Sequence, residues 1–175
     1  MDLSNILGAL TGNDATSAIA KNLNLETNQV SSVITNALPS LLGAMQKNAS
    51  TDAGAASLAQ ALGQHAGNAG NILNNLKTAD LTDGSKILGH LFGGNLSNVL
   101  SGISQKTGVA SNAVSNILSS IAPSLLAILG KQNGNSGAAG LGSLLGGLLG
   151  GGQQSQSSGD LGSILGGLGS IFGKK

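Results

Sequence analysis

The chain's two histidines, His65 and His90, are the side chains best suited to bind a metal or move a proton near neutral pH. A metal centre would need both to meet an acid such as Asp80 or Asp83, and their spacing matches no known zinc signature. His65 follows the glycine-bounded end of an apolar stretch and His90 adjoins Leu91 and Phe92, so capping or surface roles are expected for both. Serine is abundant, but no Ser, His, Asp order stands out and GxSxG is absent. Gly89, Gly93 and Gly94 are not followed by the Lys and Ser or Thr of a phosphate-binding loop. No catalytic, cofactor-binding or metal-binding residue is assigned. No cofactor or small-molecule substrate is indicated, and the chain reads as non-enzymatic.

Composition narrows the partners as well. Charged residues are 9% of the chain, the net charge is +1 and arginine is absent. Phosphate contacts need clustered cations, whereas the lysines at 21, 47, 77, 86, 106 and 131 are scattered, and only Lys174 and Lys175 adjoin. Nucleic acid is therefore not an expected partner. Cysteine is absent, which removes disulfides, thiolate nucleophiles and thiolate metal sites. The start, MDLSNILGAL, carries an acid at position 2 and no lysine before Lys21, unlike the basic region of a secretory signal, so a cytoplasmic location is expected. No run is expected to reach the roughly 20 apolar residues that span a bilayer.

These residues must be positioned by helices. Val30 to Lys47 (VSSVITNALPSLLGAMQK) is written again, without a gap, as Val114 to Lys131 (VSNILSSIAPSLLAILGK). Val30, Val33, Ile34, Ala37, Leu38, Leu41, Leu42 and Met45 keep one helical side apolar. Val114, Ile117, Leu118, Ile121, Ala122, Leu125, Leu126 and Leu129 do the same in the second copy. Pro39 and Pro123 each remove a helical hydrogen bond, but the stripe keeps its phase across both, which predicts one bent helix per copy. The alignment extends back to Ser17 and Ser101, so a duplicated unit is read.

Along the chain, Leu3 to Leu10 and Asp14 to Leu23 are expected as short helices. Asn24 and Gly108 occupy equivalent places where a left-handed residue would close a helix. Thr27 and Ser111 are expected to cap the long helices, and Asp52 the helix after the first copy. Further short helices are expected around Ile72 to Leu76 and from Ser85 to Gly93, for seven or eight between Met1 and Lys131.

The segments LPSLLGAMQKN (38 to 48), ASLAQALGQH (56 to 65), DGSKILGHLFGG (83 to 94) and the second PSLLAILGKQ resemble the bacterial YidB-like proteins, a family of unknown function. The resemblance covers about residues 1 to 133. It implies an all-α fold, a duplicated bundle of helix-turn-helix units similar to homeodomain-like bundles. It carries neither an activity nor functional residues.

From 134 to 175 the chain becomes a Gly/Leu/Ser-rich tail holding fifteen of the 29 glycines. LGSLLGGL at 141 to 148 recurs as LGSILGGL at 161 to 168. Leu141, Leu144, Leu145, Leu148 and Leu149 share a helical face, and Gly142, Gly146 and Gly150 another. With Leu161, Ile164, Leu165 and Leu168 of the second repeat, these are the self-association candidates. Such a glycine-rich helix is expected to form only against a partner: its own core, a second copy or a lipid surface. The expected function is a non-catalytic structural or scaffolding protein that forms homo-oligomers through this tail. The alternative is a peripheral membrane or envelope-associated module.

Overall fold

The structure is a computed structural model that describes residues 3–134 and 137–149. It is all-helical, with no strand among the described residues. In chain order the helices are α1 (Leu3–Thr11), α2 (Asn13–Leu23), α3 (Thr27–Ala49), α4 (Asp52–Ala66), α5 (Ile72–Lys77), α6 (Leu81–Phe92), α7 (Leu96–Thr107), α8 (Ser111–Asn133) and α9 (Gly137–Leu149). Single 3-10 turns, Gly67–Asn71 and Gly93–Asn95, lead into α5 and α7.

The two long helices form the axis of the core. All eight apolar positions of the α3 stripe are buried, and so are the eight of α8. The helix α8 is packed most extensively by α4 and α6, while α3 is flanked by α1, α2, α7 and α9. With only two aromatic side chains in the whole chain, this core is a close fit of Leu, Ile, Val and Ala. Such a fit leaves room for backbones to approach, and glycine sets where they do. A Cβ on Gly84 of α6 would collide with the Ser119 carbonyl of α8, and one on Gly130 with the Leu62 carbonyl of α4.

Both prolines lie inside continuous helices of 23 residues, as the unbroken stripe predicts. Pro123 leaves the Ser119 carbonyl without its helical donor, and α6 crosses α8 at that point, with Ser85 Oγ 3.1 Å from Ser119 Oγ. In α3 the equivalent Thr35 and Pro39 are exposed.

Asn24 (φ 54°) and Gly108 (φ 71°) close α2 and α7 in the left-handed region, as their places in the two copies indicate. The N-termini differ from expectation. Glu26 and Ala110 precede the long helices, so Thr27 and Ser111 are their first residues rather than their caps. Gln29 Oε1 accepts from the Glu26 N–H at 3.3 Å, one half of a capping box. Thr51, not Asp52, caps α4, its Oγ1 accepting from the Gly54 N–H at 3.2 Å. At α3 and α4 two neighbouring polar residues could cap and the preceding turn selects one, whereas α8 starts after Ala110 with no side-chain cap.

One helix among the described residues, α8, is long and apolar enough to cross a bilayer, contrary to the expectation that no run would be. Its most apolar window is 78% buried inside the fold, as befits a central core helix.

Candidate functional site

Both histidines open onto one groove of about 710 Å³ between α4 and α6. Its floor is apolar, from Leu58 of α4, Ile87 of α6 and Leu126 of α8, all buried. The rim carries His65 from the last turn of α4, and Asp83, Lys86 and His90 from α6. Asn48 closes one end, where its Nδ2 donates to the Leu91 carbonyl at 3.0 Å and ties α3 to the end of α6.

His65 Nε2 lies 3.7 Å from Asp83 Oδ2. That distance is too long for a good hydrogen bond and gives an ion pair only when the imidazole is protonated. Asp80, the other acid considered for a metal, is committed elsewhere. Its carboxylate accepts from the backbone N–H groups of Thr82 and Asp83 at 2.8 and 3.3 Å and so caps α6. Those two bonds hold its pKa below the ordinary aspartate value. Among the described residues no three of His, Cys, Asp and Glu come together as a metal site. The groove can offer an imidazole, a carboxylate and an ammonium to a polar guest.

A second feature concerns the tail. Gly134 (φ 52°) turns the chain after α8, and α9 returns to lie on α3 and α4. Leu141 and Leu145 are each 1% exposed and belong to the continuous hydrophobic core. Two of the self-association candidates are therefore covered by their own chain, because α3 and α4 leave an apolar channel that the tail fills. The packed core accordingly continues past 133. Gly142 is exposed and Gly146 half-buried, and a Cβ added at Gly142, Gly146 or Gly147 would meet nothing. The side chains of Leu144, Leu148 and Leu149 lie outside the described residues, as do Gly150, Leu161, Ile164, Leu165 and Leu168.

Two magnitudes set how firmly α9 is held. Burying Leu141 and Leu145 contributes about 1.5 to 3 kcal/mol each. The three outward glycines cost the helix about 0.8 to 1 kcal/mol each relative to alanine. The glycines thus offset a large part of what these two leucines contribute.

Sequence reasoning did not find the importance of Gly84 and Gly130. The available signal was a glycine at a position where the apolar helical pattern runs on, since it costs the helix stability unless close packing needs it.

A family described as bacterial protein of unknown function (DUF937) matches residues 5–132, and it is the family to which the YidB-like resemblance refers. No curated protein and no solved structure matches the chain.

Proposed function

We infer that this chain, which belongs to the bacterial DUF937 family, is a non-catalytic structural or scaffolding protein that self-associates through its Gly/Leu-rich tail. The observation that carries this reading is the seating of α9. The first tail repeat holds to an apolar channel by Leu141 and Leu145, and the chain carries the same apolar spacing again at 161 to 168. A tail written twice, one copy of which demonstrably fits a folded surface, is suited to joining copies of the chain.

Two polar side chains near the groove also favour a structural part. Asp80 stabilises the start of α6, and Asn48 ties α3 to α6. The finer architecture belongs to the same reading: α2–α3 and α7–α8 are duplicated, homeodomain-like units. In support, each pair meets at a left-handed residue, Asn24 or Gly108, and ends in a helix of 23 residues with a proline inside.

Size-exclusion chromatography with light scattering on the full chain, and on a chain stopped after Leu149, tests the assembly. Oligomers from the full chain alone are expected. Monomers from both would sink the reading, and oligomers from both would move assembly away from residues 150 to 175.

A further inference from the structure

We infer that the channel between α3 and α4, where α9 sits, is a receiving site for the second tail repeat of another copy of the chain. This rests on the self-association reading above and names its partner surface.

The argument starts from the match between the repeats. LGSILGGL at 161 to 168 differs from LGSLLGGL at 141 to 148 at one position, Leu144 against Ile164. Leu161 and Leu165 therefore stand where Leu141 and Leu145 do, and those two are the side chains that the channel buries. A surface that accepts the first repeat accepts the second by the same contacts.

The repeats then diverge in a way that favours the second. The first carries Leu149 where the second has Gly169, but where the first then has Gly151 and Gly152 the second has Ile171 and Phe172. These extend the apolar spacing by a further turn, so the second repeat has more surface to remove from water.

Tethering decides which copy is used. Residues 134 to 136 alone join α8 to α9, which holds the first repeat at high effective concentration beside its own channel. The second repeat follows α9 after residues 150 to 160, a stretch that can extend to about 36 to 40 Å at 3.3 to 3.6 Å per residue. That reach carries it to a neighbour, where it competes with an α9 whose glycines at 142, 146 and 147 make no close packing contact.

The test is light scattering over roughly a hundredfold range of concentration, in which association follows mass action. The full chain is compared with Leu161→Asp/Leu165→Asp and with Leu141→Asp/Leu145→Asp. The full chain is expected to associate. The second-repeat variant should stay monomeric with an unchanged melting temperature, since its α9 remains seated. The α9 variant should associate about tenfold more tightly, because its channel is vacated.

A full chain that stays monomeric overturns the assembly reading and the exchange with it. An associating full chain whose α9 variant associates no more tightly overturns the exchange alone. If the α9 variant unfolds, a synthetic peptide of residues 160 to 173 added to the full chain decides the same point. Exchange requires that the peptide dissolve the assembly and speed amide exchange along α9, and the absence of both overturns it.

Discussion

The helices α3 and α8 carry the same apolar stripe at the same spacing, but one keeps a side in solvent and the other is enclosed. In α3 the buried residues are the eight of the stripe. In α8 seven more are buried, including Ser119, Ser120, Ser124, Ala127 and Gly130. Their counterparts in α3 are Thr35, Asn36, Ser40, Gly43 and Gln46, of which all but Gly43 are exposed. At three of these places the second copy has the shorter residue, Ser119 for Thr35, Ser120 for Asn36 and, most plainly, Gly130 for Gln46, and close contacts from α6 at Ser119 and α4 at Gly130 use the room. A stripe is enough to bury one face of a helix. Shortening particular side chains on the other face, where a neighbouring backbone comes close, lets a helix become central.

The comparison breaks first at the close approaches. Gly84→Ala and Gly130→Ala are expected to cost about 2 to 3 kcal/mol each, as overpacking against fixed backbone does, because their Cβ atoms would strike the Ser119 and Leu62 carbonyls. Gln46→Ala, at the place in α3 that matches Gly130, should stay within about 0.5 kcal/mol of the parent. Urea unfolding midpoints measure both.

The prolines give the next largest contrast, and one of opposite sign. Pro39→Ala should stabilise by about 1 kcal/mol, since an exposed helical site regains a donor and a better helix former. Pro123→Ala should destabilise by about 1 to 2 kcal/mol, because restoring the bond to the Ser119 carbonyl reshapes the surface on which Gly84 sits. Equal shifts of the same sign in denaturant unfolding would dissolve the distinction between the two copies.

Smaller again is the hydroxyl pair. Ser124 Oγ is buried with no hydrogen-bond partner among the described residues, so Ser124→Ala should stabilise by about 1 kcal/mol, the order of an unsatisfied buried polar group. Ser40→Ala, on the exposed equivalent, should be neutral in the same assay.

The mildest test uses pH. Asp80 has a folded pKa below its ordinary value of 3.8, mainly from the Thr82 and Asp83 N–H bonds. A depressed carboxylate contributes stability that is present above the unfolded value and lost as pH falls through the folded one. Melting temperatures of the parent should therefore fall on acidification below about pH 4 more steeply than those of Asp80→Ala. Amide exchange should quicken in α6 and the reverse side of α8 before it does in α3.

Much of this fold is legible in residues alone. The stripes of α3 and α8, the passage of each helix through its proline, and the left-handed closures at Asn24 and Gly108 follow from local pattern and backbone sterics. The caps did not follow, because Glu26 against Thr27, or Thr51 against Asp52, is decided by turn geometry that several polar residues can satisfy. Which copy is central did not follow either, since it depends on Gly84 and Leu62 arriving from elsewhere in the chain. At the candidate groove, the isolated look of His65 and His90 concealed that α4 and α6 bring them to one cleft. For the tail, the leucine spacing predicted a helix in need of a surface but could not choose α3 and α4.

The enclosed position of α8 has a consequence for the timing of synthesis. The helix that α4 and α6 must pack against begins 84 residues after α3, an interval of about 4 to 17 s at 5 to 20 residues per second on a ribosome. Within that interval first Leu58 and Leu62 and then Ile87 and Leu88 are made, and each waits for the helix that buries it. The nascent chain thus spends seconds as an open half-shell, and cellular factors that shield apolar surface have that window in which to act.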